Sequence, residues 1–75
     1  MTWDEHLAWC KKRAHEYLER GELLDAVTSM SSDVTKHPNG PKAGTPAVAM
    51  LMLVGAMSAQ QGDIREVRRW IDGWH

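Results

Sequence analysis

The sequence predicts an all-α protein, a bundle of four short helices. Apolar residues recur at three- and four-residue steps over most of the chain, the spacing of one helical face. Residues that cap helix starts precede the apolar stretches: Thr2 with Glu5, Thr45 and Asp63. A chain of 75 residues is the size of one domain, so we expect a single helical domain, 1–75.

The first half of the chain predicts a helical hairpin of residues 2–20 and 22–37. Gly21 is a typical helix end, because glycine adopts the left-handed conformation without strain. Pro38 ends the second helix, since the residue before a proline is restricted to extended conformations. The expected buried stripes are Trp3, Leu7, Cys10, Ala14, Tyr17 and Leu18 in the first helix, and Leu23, Val27, Met30 and Val34 in the second.

The second half predicts a hairpin of residues 46–61 and 64–73, reached through a loop rich in proline and glycine. Pro46 suits the first turn of a helix, and Gly62 suits the end of one. The expected face of the last helix consists of Ile64, Val67, Trp70, Ile71 and Trp74.

The helix 46–61 is apolar on every side over most of its length, and two interpretations follow. A helix of this kind is usually surrounded by protein, which favours a central core helix. Only three other short helices can cover it, so part of its surface is alternatively left for a second chain, which favours a homodimer. For that case the expected contacts are Gly55, which allows close backbone approach, and the adaptable side chains of Met50, Met52 and Met57.

Four tryptophans lie near the two ends of the chain. Tryptophan is common at binding hot spots, because it buries a large area and still donates a hydrogen bond. Trp3 and Trp70 are expected in the core. Trp9 and Trp74 are the candidate contact residues.

No residue set in the sequence predicts catalysis or a cofactor. His6 and Cys10 are one helical turn apart, but a structural zinc site needs four ligands and nothing completes the set. The favoured interpretation is a buried thiol beside a surface imidazole. Paired carboxylates, a nucleophile triad and a phosphate loop are also missing, so we expect no enzyme, no metal and no cofactor.

Arg65, Arg68 and Arg69 support an alternative, a small nucleic-acid-binding regulator that uses the last helix. The formal net charge is −1, and Asp72 is spaced to pair with Arg68. Nucleic-acid binders are usually basic, so nucleic acid is not the favoured partner.

The start of the chain lacks the basic and apolar segments of a secretory signal, and its longest apolar run is shorter than a membrane span. We therefore expect a protein that remains in the cytoplasm and has no membrane partner.

Two segments of the chain resemble a family of small uncharacterised proteins from tailed phages of actinobacteria. The matching residues are Trp9-Cys10-Lys11, Arg13-Ala14, Glu16-Tyr17-Leu18, Arg20-Gly21-Glu22-Leu23, Ala26-Val27, Ser29-Met30, Asp33, Lys36-His37-Pro38 and the ending Trp70-Ile71-Asp72-Gly73-Trp74-His75. The resemblance implies a phage-encoded protein in an infected bacterial cell, and it implies no chemistry. We expect a non-catalytic protein that binds a host or phage protein and associates with itself.

Overall fold

The computed structural model describes residues 2–75, which form four α-helices and contain no strand. The helices are α1 (Trp3–Glu19), α2 (Leu23–Val34), α3 (Pro46–Gln60) and α4 (Ile64–Asp72). Three-residue turns join α1 to α2 and α3 to α4, and a longer loop joins α2 to α3. The expected all-α bundle is confirmed.

The expected caps open three of the helices. At α1, the Thr2 hydroxyl accepts from the Glu5 N–H (3.2 Å), and the Thr2 N–H donates to the Glu5 carboxylate (2.9 Å). This backbone hydrogen bond, together with the one from the Thr2 side chain, lowers the pKa of Glu5. The side chains of Thr45 and Asp63 each accept from the N–H three residues later, at 3.4 Å and 3.1 Å.

Glycine ends α1 and α3 in the same way. Gly21 and Gly62 have φ angles of +76° and +71°, in the left-handed region where a side chain is strained. After each glycine, the next N–H donates to a carbonyl five residues earlier, at 3.0 Å and 3.1 Å. Each junction is therefore a Schellman motif, which turns the chain sharply into the following helix.

Helix α2 ends at Val34, three residues before the expected end at residue 37. The Thr35 hydroxyl donates to the Ser32 carbonyl (2.8 Å), and the Lys36 N–H donates to the Asp33 carbonyl (3.2 Å). These shorter-range bonds replace the last helical ones, so the chain leaves α2 through a tight turn before Pro38.

The core lies between α1, α2 and α4. Its buried residues are Leu7, Cys10, Ala14 and Leu18 of α1, Ala26, Val27, Met30 and Val34 of α2, Val67 and Ile71 of α4, and Trp74. Within residues 2–75, α3 adds none of these and packs on α2 and α4 but not on α1. The Cα atoms span 32 × 25 × 16 Å, and the smallest extent corresponds to only two layers of helices. No third layer covers α3, so the central-core interpretation of this helix is wrong.

Candidate protein-interaction surface

One side of α3 is an uncovered apolar stripe, which we call the α3 face: Met50, Leu53, Val54 and Met57. These positions follow the i, i+3, i+4, i+7 spacing of a single helical face. Their exposed fractions are 62%, 54%, 52% and 52%. The opposite side of α3 carries Val48 and Gly55, the buried residues of this helix.

The apolar surface extends beyond the stripe and carries no charge. Leu51 and Met52, on the two flanks between the stripe and the buried side of α3, are 42% and 41% exposed. The six side chains together expose roughly 550 Å², at the upper end of the about 300–600 Å² expected for the largest apolar patch of a monomer. Residues 46–60 contain no Asp, Glu, Lys or Arg. A solvated helix face normally has charged side chains, so this surface is suited to contact with protein.

Trp70 of α4 holds α3 in this orientation. Its indole occupies the space where a β-carbon of Gly55 would lie, 2.7 Å from the nearest ring atom. Its Nε1 donates to the Leu51 carbonyl at 2.9 Å. The small size of Gly55 therefore serves packing within the chain. The prediction that Gly55 admits a second backbone is wrong, because this position is buried.

A groove of about 430 Å³ opens beside the α3 face, and we call it the C-terminal groove. Leu51, Trp70 and Trp74 form much of its apolar wall, and Arg69 and His75 also line it. The rings of Trp70 and Trp74 meet edge to face with centroids 5.7 Å apart, a favourable aromatic geometry. Because Leu51 borders both features, the groove continues the apolar surface of α3.

The two tryptophans predicted as contacts differ in their surroundings. Trp74 is 8% exposed and packs with the core, yet it also lines the C-terminal groove, so its contact role stays a prediction. Trp9 is 37% exposed, but the Arg13 guanidinium lies 4.8 Å from its ring centroid and His6 lies 5.6 Å away. Trp9 already has contacts within the chain and is a weaker candidate than the α3 residues.

Asp33 is an important polar residue that sequence reasoning missed. Its side chain is 2% exposed and pairs with Arg13 (3.3 Å) and Lys36 (3.2 Å), while the Ser29 hydroxyl donates to it at 3.3 Å. A buried carboxylate needs such partners to offset its lost hydration. The signal in the sequence was its position three residues after Met30, on the buried side of α2.

His6 and Cys10 are both buried and do not form a reactive pair. His6 Nε2 donates to the Asp33 carbonyl at 2.7 Å, so the expected surface imidazole is wrong. Burial, followed by the charge of Asp33, raises the pKa of Cys10 to about 11, which keeps the thiol protonated. In residues 2–75 no three His, Cys, Asp or Glu side chains are grouped so that they could hold a metal ion.

The arginines of α4 are exposed, but acidic side chains lie among them. Arg69 pairs with Glu66 at 3.3 Å, while Arg65 and Arg68 face solvent. Asp72, which we expected beside Arg68, lies 2.7 Å from the His15 Nε2 instead. The arrangement is a mixed-charge surface and not a continuous basic one.

No family model, curated protein or solved structure matches this chain. No helix within residues 2–75 is long and apolar enough to cross a membrane.

Proposed function

We propose that this protein is a non-catalytic binding protein that acts by contact between the α3 face and another protein. The observation that carries the proposal is the uncharged helix with four apolar side chains, each more than half exposed, on a single face. Covering the roughly 400 Å² that these four side chains expose contributes on the order of 10 kcal/mol before the cost of association. Contact with protein is the way such a helix loses this exposed surface in water.

The spacing of the α3 face matches a known mode of protein recognition. Helices that dock in apolar grooves present anchors at i, i+3, i+4 and i+7, as Met50, Leu53, Val54 and Met57 do. Methionine at both ends of the stripe gives side chains that adapt to the shape of a partner. The C-terminal groove next to Leu51 extends the same surface and offers space for an apolar side chain of the partner.

The resemblance to proteins of actinobacterial tailed phages supports a setting for this function. We propose that the protein is encoded by a phage and binds a host or phage protein in the cytoplasm of the infected cell. Residues 46–60 contain no acidic, basic, histidine or cysteine side chain, so the α3 face has none of the usual catalytic groups, which supports a role without catalysis.

A capture experiment with the tagged full-length protein tests this function. The bait is exposed to an actinobacterial lysate with and without nuclease, in three forms: wild type, Leu53→Glu and Ala8→Glu. Leu53→Glu places a charge in the α3 face, while the control Ala8→Glu adds the same charge at an exposed position of α1. Proteins bound by the wild type and the control, and lost with Leu53→Glu, support the proposal.

Two results would contradict it. Capture that Leu53→Glu leaves unchanged would remove the α3 face from the function. Capture that disappears with nuclease would favour the nucleic-acid alternative, in which Arg65, Arg68 and Arg69 make the contact.

A further inference from the structure

We propose that a second copy of this chain covers the α3 face, with the two α3 helices antiparallel across a two-fold axis between Leu53 and Val54. The proposal rests on the proposed function, because it names the partner for the same surface. It follows from the area, the charge and the order of residues on that face.

The exposed area is what a dimer of this size requires. A stable interface buries about 800 Å² on each partner, and about 65% of a homodimer interface is apolar, which is about 520 Å². The four side chains of the α3 face expose roughly 400 Å², and Leu51 and Met52 on its flanks bring the exposed apolar surface of α3 to roughly 550 Å². A second α3 helix therefore supplies an apolar surface of similar extent.

The absence of charged residues on α3 also favours a second copy as the partner. A surface without charge is covered at least cost by another surface without charge, since a partner's charged groups would lose hydration and gain no ion pair. Residues 46–60 carry no charge, so two copies approach without repulsion. Ala47 and Ala49 are exposed next to the stripe, and their small side chains leave room for the partner helix.

The order of residues on the α3 face reads alike in both directions. From either end it is methionine, two branched aliphatic residues and methionine. When two helices run antiparallel about an axis between Leu53 and Val54, Met50 meets Met57 of the other copy, and Leu53 meets Val54. A two-fold interface is self-complementary, and this order provides that complementarity.

The helix dipole distinguishes the antiparallel from the parallel arrangement. Parallel α3 helices would place two partially positive starts side by side and two partially negative ends side by side. Helix α3 has no acidic residue in its first turn and no basic residue in its last turn to offset this. Antiparallel helices place opposite ends together, so they are favoured.

Disulfide cross-linking of full-length variants that each carry one added cysteine tests the arrangement. Met50→Cys and Met57→Cys are oxidised separately and as an equimolar mixture, with different tags so that mixed dimers are recognised by mass. In the proposed pairing, the two copies of residue 50 lie about 10 Å apart along the helix axis, beyond the roughly 7 Å Cα separation that a disulfide allows. Residues 50 and 57 of opposite copies are direct neighbours.

In the mixture, we expect at least about tenfold more disulfide between Met50→Cys and Met57→Cys than either variant forms with itself. The reason is that two neighbouring cysteines in a dimer have a millimolar effective concentration. The native Cys10 is fully buried, so wild-type protein serves as the uncross-linked control. The same variants carrying Leu53→Glu give the background from random collisions, and the mixed product should fall to it.

Self-linked Met50→Cys and Met57→Cys without a mixed product would overturn the antiparallel pairing. A mixture that stays at the collision background would overturn the second copy as the partner. In the lysate capture, a foreign protein that Leu53→Glu releases would support the proposed function but overturn the second copy as the partner of this surface, so the failure of one proposal is distinguishable from the failure of the other.

Discussion

Trp70 lies directly against Gly55, with its ring 2.7 Å from the position of a β-carbon at residue 55. Its Nε1 also donates to the Leu51 carbonyl at 2.9 Å, so one side chain fixes α3 to α4. This contact orients the helix with Val48 and Gly55 inward and the α3 face outward. The interaction surface therefore depends on a close approach that only glycine allows.

Gly55→Ala should destabilise the fold by about 1–3 kcal/mol, because the added methyl displaces the Trp70 ring. Replacing glycine with alanine inside a helix otherwise stabilises a protein by about 1 kcal/mol. A destabilising Gly55→Ala would therefore indicate a steric conflict at this position. The free energy of unfolding is measured in urea. In a Trp70→Leu background the same change should become neutral or stabilising, and a cost that persists there would show that the ring is not the cause.

Ser31→Ala should stabilise the protein by about 1 kcal/mol. The Ser31 hydroxyl is buried and has no hydrogen-bond partner within residues 2–75. It loses its hydration on folding and gains no hydrogen bond in return, so the chain without this hydroxyl should be more stable. Ser29→Ala is the matched control on the same helix, and it should destabilise because that hydroxyl donates to Asp33. Thermal unfolding of both variants decides the point, and a lower melting temperature for Ser31→Ala would contradict it.

Stability should fall at alkaline pH because of Cys10. Burial raises the pKa of this thiol from 9.0 to about 11 in the folded chain, so the unfolded chain loses the proton first. The free energy of unfolding is therefore unaffected by this thiol below pH 9 and decreases as the pH rises through about 11, by about 3 kcal/mol. Denaturant titrations from pH 8 to 11 measure it against Cys10→Ala, and parallel curves for the two proteins would exclude this cause.

Leu18→Ala and Leu53→Ala remove the same atoms from different surroundings. Leu18 is 3% exposed and lies in the core, so its truncation should cost about 2–5 kcal/mol. Leu53 is 54% exposed, so at low protein concentration its truncation should cost less than about 1 kcal/mol. Equal losses, measured in urea at micromolar protein, would mean that Leu53 supports the fold of the single chain.

The sequence predicted both ends of α1, both ends of α3 and the start of α4 best, because local chemistry determines them. Thr2, Thr45 and Asp63 accept the expected hydrogen bonds, and Gly21 and Gly62 take the expected backbone conformation. These features depend on three to six neighbouring residues, which the sequence shows directly.

Features set by the packing of distant helices were harder to predict. The sequence pattern of α3 is compatible with both a central core helix and a partner surface. Which of the two occurs depends on how the other three helices pack around α3. The sequence predicts Trp74 as a contact residue, and it does not show that this side chain is 8% exposed and packs with the core. The burial of His6 depends on the Asp33 carbonyl, 27 residues away along the chain.

The most direct test that the α3 face joins two copies is the mass of the full-length protein in solution, measured by sedimentation equilibrium over a wide concentration range. We expect the wild type to approach twice its chain mass of 8.5 kDa as concentration rises, with little dependence on salt because the face is uncharged. Leu53→Glu should remain at 8.5 kDa, and Ala8→Glu should behave as the wild type. A wild-type mass of one chain at every concentration, or a dimer that Leu53→Glu leaves intact, would contradict the assignment.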